Sequence, residues 1–177
     1  MRITVVADPP DNDLRVTAEK LVGATRVTSL AALEAMLDRL PPVPGGGATL
    51  DLVAHTTGPK LLRLGATVLD PETPRVAATF ARLGREGVLP RLGIAALRLL
   101  GCRSGRQRGA EAVVAFADLL GVRVYGTTAN LRSRHYDSEG LDPAAEVLLA
   151  SDLLLRRQVS SRSLLPDLDP RQSRSRQ

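Results

Sequence analysis

Residues 48–58 read ATLDLVAHTTG and residues 94–105 read IAALRLLGCRSG. Each opens as an aliphatic run and closes on a side chain with catalytic chemistry, His55 in the first and Cys102 in the second. Short unbroken apolar runs bounded by turn residues mark strands covered on both faces, the condition of strands in a parallel sheet. Two further runs fit the same description: Arg2–Ala7 (RITVVA), stopped by Asp8-Pro9-Pro10, and Val122–Tyr125 (VRVY) before Gly126-Thr127-Thr128. The segments between them carry helical spacing. Leu14–Val22 is weakly patterned. Leu30, Leu33, Leu37 and Leu40 follow a Thr28 or Ser29 cap and end at Pro41-Pro42. Thr73-Pro74 opens a helix that turns Val76, Ala77, Phe80 and Leu83 inward and stops near Gly84–Gly87. Ala110–Leu120 forms the next helix, and Asp142-Pro143 caps a last one running to about Arg157. Gly65-Ala66, between Lys60–Leu64 and Thr67–Leu69, suits a short hairpin beside the main sheet. Strands alternating with helices predict an α/β fold, a three-layer α/β/α sandwich on a mostly parallel sheet of about five strands.

Composition narrows the function classes. The chain has 177 residues, 44% of them apolar, with two Phe, two Tyr and no Trp, so the core is aliphatic. Few rings are left to stack bases, and nucleic-acid recognition through aromatic platforms is not expected. The formal charge is +5. Lys20 and Lys60 are the two lysines, and much of the excess lies at Arg156, Arg157, Arg162, Arg171, Arg174 and Arg176. Residues 1–158 are expected to form one domain, and the Arg/Ser-rich stretch 159–177 a disordered tail. Cys102 is the sole cysteine, so no internal disulfide forms. The first residues lack a signal-peptide pattern, and no apolar run reaches the length of a membrane span. A cytoplasmic location without membrane attachment is the expectation.

In a parallel sheet the functional groups gather at the carboxyl ends of the strands, where both His55 and Cys102 stand. A thiol becomes a nucleophile when a base takes its proton, and an imidazole can take it and later deliver it to a leaving amine. Gly101 and Gly105 would let a substrate carbonyl approach the backbone, and the Cys102 amide would help hold an oxyanion.

The span Asp51–Thr128 resembles the caspase-like (clan CD) cysteine peptidase superfamily, most of all its separase and bacterial CHAT-domain branches. The matching stretches are LDLVAHTTG, LLRLGATVLD, LRLLGCRSG and LLGVRVYGTT. In that superfamily a strand ends in the catalytic His, a hairpin and a helix follow, and the next strand ends in Gly-Cys or Ala-Cys. The resemblance implies a caspase-like fold, a hydrolase that uses no cofactor, and a protein or peptide substrate. It makes His55 the general base and acid, and Cys102 the nucleophile. It puts the oxyanion-holding backbone at Thr56, Gly58 and Gly101. Asp8 falls where some relatives place a substrate-binding acid, though an Asp before Pro-Pro also suits a turn cap. Thr127 and Thr128 would border the first substrate pocket. A protein partner or a second copy is an expected route of activation. Glycine usually follows the catalytic His directly, whereas here Thr56 and Thr57 come before Gly58.

A rival pattern shares the same cysteine. Residues 102–108 (CRSGRQR) satisfy C-x5-R, the phosphate loop of cysteine-dependent phosphatases, with Cys102 as nucleophile, Gly105 in the turn, Arg108 on the phosphate and Asp70 as general acid. The loop also echoes the CRSG loops of rhodaneses. Gly101 and Gly109 stand where phosphatases carry a His and a Ser or Thr. A third reading is a catalytically silent interaction module on the same fold. His135, in the polar stretch RSRHYDSEG, has no second His or Cys at metal-ligand spacing, and no metal site is expected.

Overall fold

The computed structural model describes residues 1–7 and 12–163. Asp8, with its expected substrate-binding role, lies outside the described residues, as does the tail from residue 164 onward. In chain order the elements are β1 (Arg2–Ala7), α1 (Asn12–Lys20), β2 (Thr25–Val27), α2 (Leu30–Arg39), β3 (Ala48–Val53), β4 (Arg63–Leu64), β5 (Thr67–Val68), α3 (Pro74–Arg85), α4 (Val88–Arg91), β6 (Ile94–Leu100), α5 (Arg108–Leu120), β7 (Arg123–Thr127), β8 (Tyr136–Asp137), β9 (Gly140–Leu141), β10 (Leu149–Ser151) and α6 (Asp152–Ser163). The fold is mixed α/β around one six-stranded sheet of order β10-β7-β6-β3-β1-β2. Every pairing in it is parallel except β10 on β7.

Each long strand is one of the apolar runs, and each parallel crossover carries a helix. Side chains alternate across the sheet, so two apolar clusters form, one on each face. The larger gathers Val5, Leu50, Leu52, Leu97, Leu99 and Val124 with the inward stripes of α2, α3, α5 and α6. Phe80 and Phe116 meet within it, ring centroids 4.3 Å apart. The smaller gathers Val6, Val53 and Leu100 with Leu14 of α1, Tyr136, Leu141 and Ala145. The face that carries Val53 and Leu100 also carries Asp51 and Arg98, one residue pair deeper along the two strands.

Local signals explain most boundaries. The Ser29 hydroxyl accepts from the Ala32 amide and starts α2. Pro74 occupies the first turn of α3, while Thr73 supplies no side-chain cap. The β4–β5 hairpin turns at Gly65-Ala66, apart from the main sheet. Three features depart from the sequence expectation. β2 is a three-residue edge strand too short to announce itself. The stretch after Asp142-Pro143 is not one helix: a 3-10 turn over Pro143–Leu148 gives way to β10 and only then to α6. Finally, α6 continues to Ser163, past the boundary expected at residue 158.

Candidate active site

β3 and β6 are adjacent and parallel, with Val53 opposite Leu100. His55 and Cys102 each follow two residues after those partners, so the register sets them at the same level of the same sheet edge. Both line one cleft of about 490 Å³, closed in by Leu14 and Val16 of α1, Leu131 and Tyr136. Neither residue is sealed in: both are half-buried. The imidazole Nε2 is itself shielded from water. The thiol reaches toward the Leu131 carbonyl at 3.6 Å, a weak sulfur hydrogen bond.

The two loops that carry the pair are fastened together. The Thr56 hydroxyl donates to the Cys102 carbonyl at 2.8 Å. The His55 loop folds back on the hairpin: the Arg63 amide donates to His55 O at 2.9 Å and the Thr57 amide to Leu61 O at 2.9 Å. This antiparallel bridge at Thr56–Leu62 directs the Thr56 amide away from the hairpin. Among the described residues, neither the Thr56 nor the Cys102 amide donates to a protein acceptor. Gly101 differs, because its amide donates to Leu99 O at 3.1 Å. Gly58 lies exposed at the turn beyond. Of the oxyanion-holding positions expected from sequence, Thr56 therefore has a backbone donor to spare, and Gly101 does not.

Glycine at 101 and 105 has a packing cause. A Cβ on Gly101 would stand 2.7 Å from Leu62 Cδ1 and from Thr56 Cγ2, and 2.9 Å from Ala54 O. A Cβ on Gly126 would stand 2.7 Å from Gly105 N and Cα, so the cysteine loop lies directly on β7. Glycine at 101 makes room for the Leu62 and Thr56 side chains, and glycine at 105 for the β7 backbone.

Thr127 is fully buried and cannot border a substrate pocket. Its hydroxyl donates to the Gly101 carbonyl, and it accepts from the Ser104 amide at 3.1 Å. Ser104 in turn donates its hydroxyl to Leu99 O and accepts the Thr127 amide at 2.9 Å. Buried hydroxyls thus staple the loop after Cys102 to β7. Thr128 bonds Leu148 O through its amide at 2.7 Å and its hydroxyl at 3.0 Å. It stands on a separate cleft across the cysteine loop, away from Cys102.

The phosphate-loop geometry is not assembled. Four of its amides are spent inside the protein: Arg103 on Ala129 O, Ser104 on Gly101 O, Gly105 on Thr127 O and Arg106 on Arg103 O, at 2.8–3.2 Å. Arg108 pairs with Asp70 at 3.3 Å and Glu72 at 2.8 Å, and these carboxylates hold its guanidinium more firmly charged than usual. The proposed general acid and the proposed phosphate ligand occupy each other. His135 sits in the 3-10 turn Ser133–His135, where its Nδ1 accepts from the Arg132 amide at 3.0 Å.

Beneath the cleft lies a buried ion pair that sequence reading missed. Arg98 donates Nε to Asp51 Oδ1 at 2.6 Å and a terminal nitrogen to Asp51 Oδ2, and reaches Glu146 at 3.0 Å. Arg2 joins from β1 through Glu146 at 2.9 Å and the Leu141 carbonyl at 2.5 Å. Burial lifts the Asp51 carboxyl above its ordinary pKa against the pull of Arg98. At Arg98, burial acts downward but the bonds from Asp51 and Glu146 outweigh it. With two bonds joining the groups and a third to Glu146, the direction at Arg98 governs and the pair is ionised at neutral pH. Asp and Arg inside apolar runs were the available signal, since such residues are buried only when partnered. Tyr136 closes the far side, and burial raises its phenol well above the ordinary value. No cluster of metal-ligating side chains occurs among the described residues, and none of their helices is long and apolar enough to cross a membrane.

Compared with known proteins, the chain matches no family model and no curated protein.

Proposed function

We propose that this chain is a caspase-like cysteine peptidase, a three-layer α/β/α sandwich of the cytoplasm that cleaves peptide bonds with His55 and Cys102. One observation carries the reading: the sole thiol and an imidazole line the same cleft at the carboxyl ends of neighbouring parallel strands. The Cys102 sulfur attacks the scissile carbonyl carbon as His55 takes the thiol proton. A C–S bond forms and the carbonyl oxygen becomes an oxyanion, facing the Thr56 and Cys102 amides. His55 returns the proton to the leaving nitrogen as the C–N bond breaks. Water, deprotonated by His55, then cleaves the thioester and restores the thiol. The threonine in place of the usual glycine after the His supports this geometry, because its hydroxyl ties the base loop to the nucleophile loop. The resemblance of LDLVAHTTG and LRLLGCRSG to the superfamily supports it independently.

The test uses a mixed peptide substrate pool and a thiol-reactive peptide probe. His55→Ala and Cys102→Ala should each lower cleavage by about 10²–10⁴-fold, the usual worth of a general base or more, while Arg108→Lys leaves it intact. Loss of a phosphatase activity on Arg108→Lys would put the C-x5-R reading in its place. Neither cleavage nor probe labelling of Cys102 would leave the silent interaction module.

A further inference from the structure

Across the cysteine loop from the His55–Cys102 cleft lies a second cleft of about 460 Å³, lined by Lys60, Arg103, Arg106, Gln107, Thr128 and Asn130. Nothing in the proposed peptidase chemistry uses it. Three cationic side chains and no acidic one face it. The nearby carboxylates Asp70 and Glu72 turn instead to Arg108. Among the described residues, Lys60, Arg103 and Arg106 form no ion pair, so like charges gather here without internal compensation.

The gathering is enforced by the backbone. Lys60, Arg103 and Gln107, at φ 72°, 59° and 52°, are the three non-glycine residues with positive φ among the described residues, and all three line this cleft. Holding side-chain-bearing residues in that region has an energetic cost, and such residues cluster at binding sites. Two contacts fix the frame. A Cβ on Gly109 would stand 2.5 Å from the Lys60 carbonyl, so glycine there lets the Lys60 loop close onto the first turn of α5. The Arg106 Nε donates to Thr128 O at 3.2 Å, and the Arg103 amide to Ala129 O at 3.0 Å, which clamps the cysteine loop to the loop after β7. Gln107, the cap residue of α5, makes no side-chain cap bond, so the positive end of a 13-residue helix dipole adds to the field.

We infer that this second cleft is a binding site for a small phosphate-bearing anion of two or more negative charges, of the pyrophosphate type. A single carboxylate would leave most of the charge of Lys60, Arg103 and Arg106 unbalanced. The cleft, open to solvent on one side, has room for two linked phosphoryl groups. Planar guanidinium forks suit phosphate oxygens, and the Asn130 side-chain amide can add a neutral donor. The site is separate from the C-x5-R loop, whose arginine is Arg108, and it stands or falls apart from peptidase activity.

The experiment is calorimetric titration of the full chain with pyrophosphate and with inorganic phosphate at low salt. The expected result is one site that prefers pyrophosphate, weakened about tenfold or more in Arg103→Asn and again in Arg106→Gln, since each removes charge-assisted bonds. Asparagine at 103 tolerates the positive φ and keeps the loop folded. Arg39→Gln with Arg91→Gln, an equal loss of charge elsewhere, should leave binding unchanged, as should Cys102→Ser. The inference is overturned by an absence of binding at millimolar pyrophosphate, or by equal weakening in the control pair. It is also overturned by an acidic peptide that displaces pyrophosphate at lower concentration.

Discussion

Replacing Arg98 by Met tests the claim that the buried Arg98–Asp51 pair is ionised and stabilises the sheet beneath the cleft. Asp51 is wholly buried and the Arg98 side chain retains 6% of its exposure. Asp51 and Arg98 are direct partners in the β3–β6 ladder, as are Val53 and Leu100 above them. Methionine keeps the aliphatic bulk of Arg98 and removes both bonds to Asp51, leaving a carboxylate among apolar side chains with only the more distant Arg2 to answer it. Breaking a buried pair this way costs about 3–5 kcal/mol, most of it the stranded charge. With a urea slope of about 2 kcal/mol per M, the unfolding midpoint should fall by about 2 M. The companion variant Arg98→Met/Asp51→Leu removes the stranded charge and should recover most of the loss. Equilibrium urea unfolding followed by circular dichroism measures both. A midpoint that moves by less than about 0.3 M in Arg98→Met, or a double variant no more stable than the single, would refute the reasoning.

Thr56→Val keeps the shape and deletes the hydroxyl bond to the Cys102 carbonyl. It should cost about 1 kcal/mol by urea unfolding while lowering peptide cleavage more than stability. Gly101→Ala should destabilise by about 1–3 kcal/mol, because its methyl meets the Ala54 carbonyl and a Thr56 side chain already held in place. Thr127→Val should be at least as damaging by the same assay, since it leaves the Gly101 carbonyl and the Ser104 amide buried without that hydroxyl. Tyr136 gives a pH signature. Its phenol is raised above 10.0 by burial, so the folded chain keeps a proton that the unfolded chain releases. Its contribution is whole below about pH 10 and declines as the pH climbs beyond. Unfolding free energies between pH 8 and 11 should fall in the parent, and less steeply in Tyr136→Phe.

The four long strands were legible because unbroken aliphatic runs leave little choice of structure, and His55 and Cys102 were legible because each ends such a run. What escaped was short or depended on distant partners. β2 has three residues and takes its place from β1, while β10 takes its from β7, so neither carries a pattern of its own. The role of Thr127 was misread because a threonine after a strand looks the same whether it borders a pocket or is buried on a neighbouring carbonyl. Gly101 and Gly105 were read as openings for substrate, and what fills the space beside them is Leu62, Thr56 and Gly126. The C-x5-R spacing is satisfied in sequence, yet four of its amides and its arginine are committed elsewhere in three dimensions. Spacing alone does not record where a hydrogen bond ends.

The single hydroxyl that bridges Thr56 to Cys102 has a consequence for how this protein can change. A substitution that shifts one loop pulls the other with it, so variation near His55 will be tolerated or rejected according to what surrounds Cys102. Pairwise libraries across the two loops should show strong epistasis, with viable combinations rare among singles and recoverable only when both sides move in concert.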